Sequence, residues 1–103
     1  GLIGMYRIHQ LTSVCYQIHA FMIDRSQKAS GRVILKWCLD NIDDMKKLIA
    51  EIPVIYPNVY HYTKKQGFVD EGTNRQSFTK NGQICDTHRL GITREEICQL
   101  HSQ

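Results

Sequence analysis

The spacing of apolar positions changes its period several times along the 103 residues, and each change marks an element. From about Leu2 to Gln10 and from Val14 to Ile23 the chain is rich in Ile, Val, Tyr and Phe, with Leu11-Thr12-Ser13 between. That composition predicts two antiparallel strands. The second run is apolar on both alternating sets, Val14, Tyr16, Ile18, Ala20 and Met22 against Cys15, Phe21 and Ile23. Such a run suits a strand covered on both faces, so it is expected to be the spine of the sheet.

Asp24 to Ala29 is polar, after which Ser30 caps a helix to Asn41 with Val33, Ile34, Leu35, Trp37 and Cys38 as a broad buried stripe. Lys47 to Ile52 is a short strand that Pro53 stops by removing a ladder donor. Strand, loop, helix and strand in this order form a crossover unit, which makes its two strands parallel. A second helix covers about Val59 to Gln66, with Asn58 as its cap and Gly67 at the left-handed position beyond its end. Phe68 to Glu71, Asn74 to Thr79 and Gln83 to Leu90 are three extended runs, the last two joined by the type I′ turn signal Asn81-Gly82. Thr93 and Glu96 form a capping-box pair that starts a last helix to about His101. The fold class is therefore α/β (α+β), a mixed sheet flanked by helices with a C-terminal β-hairpin.

Length and the lack of a linker-like Pro, Gly or Ser run predict one domain over residues 1–103. No run is long enough to span a bilayer and no signal peptide is visible, so a cytoplasmic protein with no membrane partner is expected. The net charge of +3 suits an anionic ligand but is too small and dispersed for nucleic acid. Cys15, Cys38, Cys85 and Cys98 lie far apart, without a C-x-x-C pair or paired histidines. They read as reduced, semi-buried filler rather than zinc ligands.

Two places can carry chemistry. The loop Ser26-Gln27-Lys28-Ala29-Ser30-Gly31-Arg32 runs from a strand into a helix, and its amides at the positive end of the helix dipole form a cradle for pyrophosphate. The same loop also reads as a plain helix-initiating segment. His19 is a conceivable base, since imidazole titrates near neutrality, or a half-buried histidine satisfied by a backbone group.

The segment Tyr56 to Glu96 reads Y-P-N-V-Y-H-Y-T-K-K-Q-G-F-V-D-E-G, a polar hairpin N-G-Q-I-C-D, then L-G-I-T-R-E-E. It resembles the C-terminal half of a GCN5-related N-acetyltransferase, with the first strand and two helices of that family missing upstream. The resemblance implies acetyl-CoA as cofactor, held at the pyrophosphate by Gln27, Lys28, Ala29, Ser30, Gly31 and Arg32, with Asn58 contacting the coenzyme. Gly31 and Arg32 match the end of the family's R/Q-x-x-G-x-G/A loop, with Ala29 in a glycine position and Ser26 near the Arg or Gln position; slid by one, the frame puts Gln27 first, Ser30 in the glycine position and Arg32 in the small-residue position. In the same family the strand Val14 to Ile23 splays from its neighbour, and the wedge takes the pantetheine arm.

Acetylation of an amine needs a group that removes a proton from the attacking nitrogen and one that returns a proton to the leaving thiolate. Glu51, near the end of its strand beside the wedge, is the best base. Where the family places an acidic tyrosine the chain has Thr63; Tyr62 or Tyr60 could substitute only if the helix turns differently, and Tyr62 otherwise fills the buried face of its helix. The hairpin implies a homodimer by the same analogy. The resemblance thus implies an N-acetyltransferase acting on an unknown amine. The Tyr and Pro spacing of Lys47 to Gly72 also resembles tailed-phage head-assembly proteins, which gives an alternative: a catalytically inactive member of the fold, of phage or mobile-element origin.

Overall fold

The computed structural model describes residues 5–22 and 30–102. In chain order the elements are β1 (Met5–Gln10), β2 (Cys15–Met22), α1 (Ser30–Asn41), β3 (Lys47–Pro53), α2 (Pro57–Lys65), β4 (Val69–Lys80), β5 (Gln83–Thr93) and α3 (Arg94–His101). The five strands form one mixed sheet in the order β1-β2-β3-β5-β4, with β2 and β3 parallel and the other pairs antiparallel. The expected α+β class and the crossover through α1 both hold.

The spine of the sheet is β3 rather than β2. Leu48, Ile49, Ala50 and Ile52 are all buried, whereas the described side chains of β2 from Cys15 to His19 are half-buried. The reason lies in the pairing. β3 runs beside β5 along its whole length from Lys47 to Pro53, but it meets β2 only where Cys15, Tyr16 and Gln17 face Lys47, Leu48 and Ile49. Beyond those three pairs the two parallel strands part.

On α1 the buried face is Gly31, Leu35 and Cys38, with Ile34, Leu39 and Ile42 half-buried beside it. That is the i, i+3, i+4, i+7 stripe of an amphipathic helix. Val33 and Trp37, expected in the stripe, sit one turn apart on the adjoining face and are 55% and 49% exposed. Burial pushes the Cys38 thiol up to about 11, the behaviour of an inert filler. Cys15 and Cys85 are half-buried as expected, but Cys98 is exposed on α3.

At the far end of α1 the Arg94 guanidinium donates to the carbonyls of Leu39, Ile42 and Met45 at 2.9, 2.9 and 3.1 Å. These bonds satisfy acceptors that the helix terminus leaves open. The expected capping box at α3 is present: Glu96 N donates to Thr93 Oγ1 at 3.2 Å, and Thr93 N to Glu96 Oε1 at 2.9 Å.

Two sequence expectations fail locally. The cap of α2 is Tyr56, without a side-chain bond, because Pro57 and Asn58 already lie inside the first turn. The two runs Phe68 to Glu71 and Asn74 to Thr79 are one strand, β4, whose register shifts between Asp70 and Thr73 and again between Asn74 and Phe78. The break in the apolar pattern marks bulges rather than a loop. Asn81 and Gly82, at φ 52° and 78°, make the expected type I′ turn, and Gly67 ends α2 at φ 111°.

Candidate functional site

Where β2 and β3 part, a cavity of about 750 Å³ opens between the strands, α1 and α2. Its walls include His19 of β2, Gly31 of α1, Glu51 of β3 and Tyr62 of α2, four of the residues selected from sequence. Past Gln17 and Ile49 no ladder joins the facing edges of β2 and β3 among the described residues. Backbone groups on such edges are available to a bound chain.

Gly31 lies in the first turn of α1, and its amide donates to the Tyr62 hydroxyl at 3.1 Å. A Cβ at this position would meet the Gln66 side chain at 2.8 Å. A larger residue here would displace the Gln66 side chain. Gln66 Oε1 is buried there without a hydrogen-bond partner. The Tyr62 phenol is therefore at the N-terminal end of α1 rather than filling a buried face of its own helix. Thr63, also in the wall, spends its hydroxyl on the Val59 carbonyl at 2.8 Å, as threonine does inside helices.

Glu51 is held by side chains from three other strands. Its Oε1 accepts from Asn74 Nδ2 at 2.9 Å and lies 3.4 Å from Thr87 Oγ1, and its Oε2 is 3.5 Å from Gln17 Nε2. Thr87 is buried, and its hydroxyl lies 2.7 Å from Ser77 Oγ. His19 stacks on His9 with ring centroids 5.1 Å apart. Burial holds the His19 pKa below its ordinary value, with His9 and Arg7 adding to the effect and Glu51 opposing it. The imidazole is consequently neutral at neutral pH, the form that accepts a proton.

The remaining sequence-selected residues fall elsewhere. Ser30 begins α1, and Arg32 is exposed on that helix's first turn, outside the cavity wall. Asn58 is exposed in the first turn of α2 and does not line the cavity either. Gln27, Lys28 and Ala29 lie outside the described residues. The sequence reading missed Gln17, Gln66, Asn74, Ser77 and Thr87, none of which belongs to a motif.

Comparison with solved structures places the fold. A chimera of the Vibrio cholerae spermidine N-acetyltransferase SpeG and hSSAT superposes with a TM-score of 0.79 at 23% identity, covering 96% of this chain and 66% of that one. The Vibrio cholerae spermidine N-acetyltransferase in complex with CoA and spermine gives 0.77 at 23%, covering 95% and 62%. A GNAT-family acetyltransferase from Bacillus anthracis gives 0.75 at 17%, covering 91% and 60%. The fold is thus the one these acetyltransferase structures share. The chain spans somewhat less than two thirds of the length of these structures. No protein-family model matches the sequence, and no curated protein matches it.

Proposed function

We propose that this chain binds acetyl-CoA in the β2–β3 wedge and transfers the acetyl group to an amine. The observation that carries the reading is the cavity itself. It joins an unpaired edge of parallel sheet, the N-terminal turn of a helix and a hydrogen-bonded carboxylate in one space of about 750 Å³. A volume of that order suits a cofactor-sized ligand. The similarity in fold to a structure solved with CoA and spermine supports the same ligand class.

The residues fit such a ligand. Gly31 lies in the first turn of α1, at the helix end where anions are favoured; its own amide is taken by the Tyr62 hydroxyl, and Arg32 adds a cation beside it. Gln27, Lys28, Ala29 and Ser30 complete the phosphate loop in this reading, and the free edges of β2 and β3 pair with the amides of the pantetheine arm. Acetyl-CoA supplies an acyl group on a good leaving thiolate. Glu51 takes the proton from the attacking amine, as its lone pair forms the new C–N bond and the C–S bond breaks. His19 assists at the same wall, and Tyr62 is assigned the return of a proton to sulfur in this reading. Asn58 would reach the coenzyme only outside the cavity. No observation favours the assembly-protein alternative.

Isothermal titration with acetyl-CoA and with coenzyme A tests the reading. Saturable binding to the native chain, weakened in Arg32→Ala and lost in Gly31→Val, is the expected result. Arg32 is exposed, so its removal leaves the fold intact. Absence of binding at millimolar cofactor overturns the proposal. A homodimer through the β4–β5 hairpin belongs to the same reading, and sedimentation of the free chain decides it.

A further inference from the structure

We infer that Asn74 is a positioning residue for Glu51, brought into the site by a bulge in β4, and that it leaves Glu51 Oε2 as the atom that receives the proton. The inference rests on the acetyl-transfer reading above. In a regular strand, residues three apart point to opposite faces of the sheet. Asn74 and Ser77 nevertheless reach the same neighbourhood: Asn74 Nδ2 donates to Glu51 Oε1 at 2.9 Å, and Ser77 Oγ lies 2.7 Å from Thr87 Oγ1, itself 3.4 Å from that carboxylate. Between them Gln76 has φ 54°, its amide donates to Asp86 Oδ1 at 2.8 Å, and the register with β5 shifts. One extra residue between Asp70 and Thr73, against Leu90 and His88, reverses the parity of the strand before Asn74, which then faces its partner Thr87; two more between Asn74 and Phe78, against Thr87 and Cys85, bring Ser77 to the same side.

Proton counting makes Asn74 the principal donor. Each hydroxyl has one proton. The short bonds are Ser77 Oγ to the Asn74 carbonyl at 2.8 Å and Ser77 to Thr87 at 2.7 Å. If Ser77 donates to that carbonyl, Thr87 donates to Ser77, and neither proton remains for Glu51. The 3.4 Å contact is then an approach rather than a donation. The carboxamide of Asn74 has no such competitor and fixes Oε1. Oε2 has Gln17 at 3.5 Å, the weak limit of a hydrogen bond. A carboxylate with one oxygen clamped and the other weakly engaged is a base with a defined direction.

The test uses Asn74→Leu and Asn74→Asp in the full chain. Thiol release from acetyl-CoA is followed with a panel of primary amines and with water alone, and acetyl-CoA affinity is measured by calorimetry. Loss of one hydrogen bond to a charged group is expected to lower kcat about ten- to hundredfold in both variants, with acetyl-CoA affinity unchanged within about twofold. Asn74→Asp has a signature that packing does not produce. At neutral pH it sets a second carboxylate against Glu51, whereas at lower pH the new carboxyl takes a proton and donates as the amide did, so part of the lost rate returns. Equal rates in native and variant proteins overturn the inference, as does a rate loss that tracks loss of affinity with no recovery in acid. Native chain that fails to bind acetyl-CoA overturns the parent reading, and Asn74 is then only a clamp between strands. Binding without any thiol release in the native chain removes the reaction and the positioning role with it.

Discussion

Gly31 and Tyr62 share one hydrogen bond across 31 positions of sequence, and that bond ties the two helices at the mouth of the cavity. Tyr62→Phe keeps the ring and removes the acceptor, so a loss of about 1 kcal/mol is expected in urea unfolding, with faster amide exchange at Gly31. His19 predicts a pH effect. Its folded pKa lies below the unfolded value of 6.5, mainly through burial, so below that value the unfolded chain binds more protons than the native one. Stability is therefore full above 6.5 and falls as the pH drops from there toward the lowered folded value. His19→Gln should flatten that limb of the profile, measured as urea midpoints from about pH 5 to about pH 7.5. An unchanged slope would mean the acid sensitivity arises elsewhere. Glu51, His19 and Gly31 could be picked out singly because their types suggest base or cradle chemistry, and the fold brings all three to one cavity. Asn74 and Thr87 were not, because nothing in a polar strand says which way a side chain points once a bulge has changed its parity.

Elements with a strong local signal were legible almost to the residue: α1 at Ser30–Asn41, the β4–β5 turn, and the capping box of α3. Each is set by interactions within a few positions. What sequence missed depends on partners far along the chain, such as the exposure of Trp37, which follows from where α3 and the sheet meet α1. The Arg94 contact with the end of α1 is another such case, since residues 39 and 94 are 55 apart. Arg94→Ala should cost about 2 kcal/mol or more, because three carbonyl bonds to a charged group are lost together, and the check is the thermal midpoint. The bulge in β4 predicts the opposite sign. Gln76 is a non-glycine residue at φ 54°, a conformation that costs roughly 1 kcal/mol for a residue with a Cβ. Gln76→Gly should relieve part of that strain and raise the urea midpoint, leaving the contacts of Asn74 and Ser77 in place.

The whole molecule is divided by its wedge. On one side the β1–β2 pair is joined to the rest of the sheet by three residue pairs, and on the other β3 pairs with β5 along its whole length, with β4 added across two bulges, around the main core. Fewer ladder bonds and half-buried side chains make β1–β2 the part that opens first, since local stability follows buried contacts and protected hydrogen bonds. Amide exchange should accordingly be faster in β1 and β2 than in β3 and β5. Acetyl-CoA in the wedge would restore a partner to both free edges and bridge the two halves. A ligand that binds only the closed arrangement at about 100 times its Kd adds about 2.7 kcal/mol, which slows exchange through that opening about a hundredfold. The slowing should fall on β2 and the first turn of α1 and leave the β4–β5 turn untouched. Uniform slowing across the chain would instead mean that the ligand stabilises the fold from outside the wedge, and no slowing at β2 would mean that the cavity between the strands is not where the coenzyme sits.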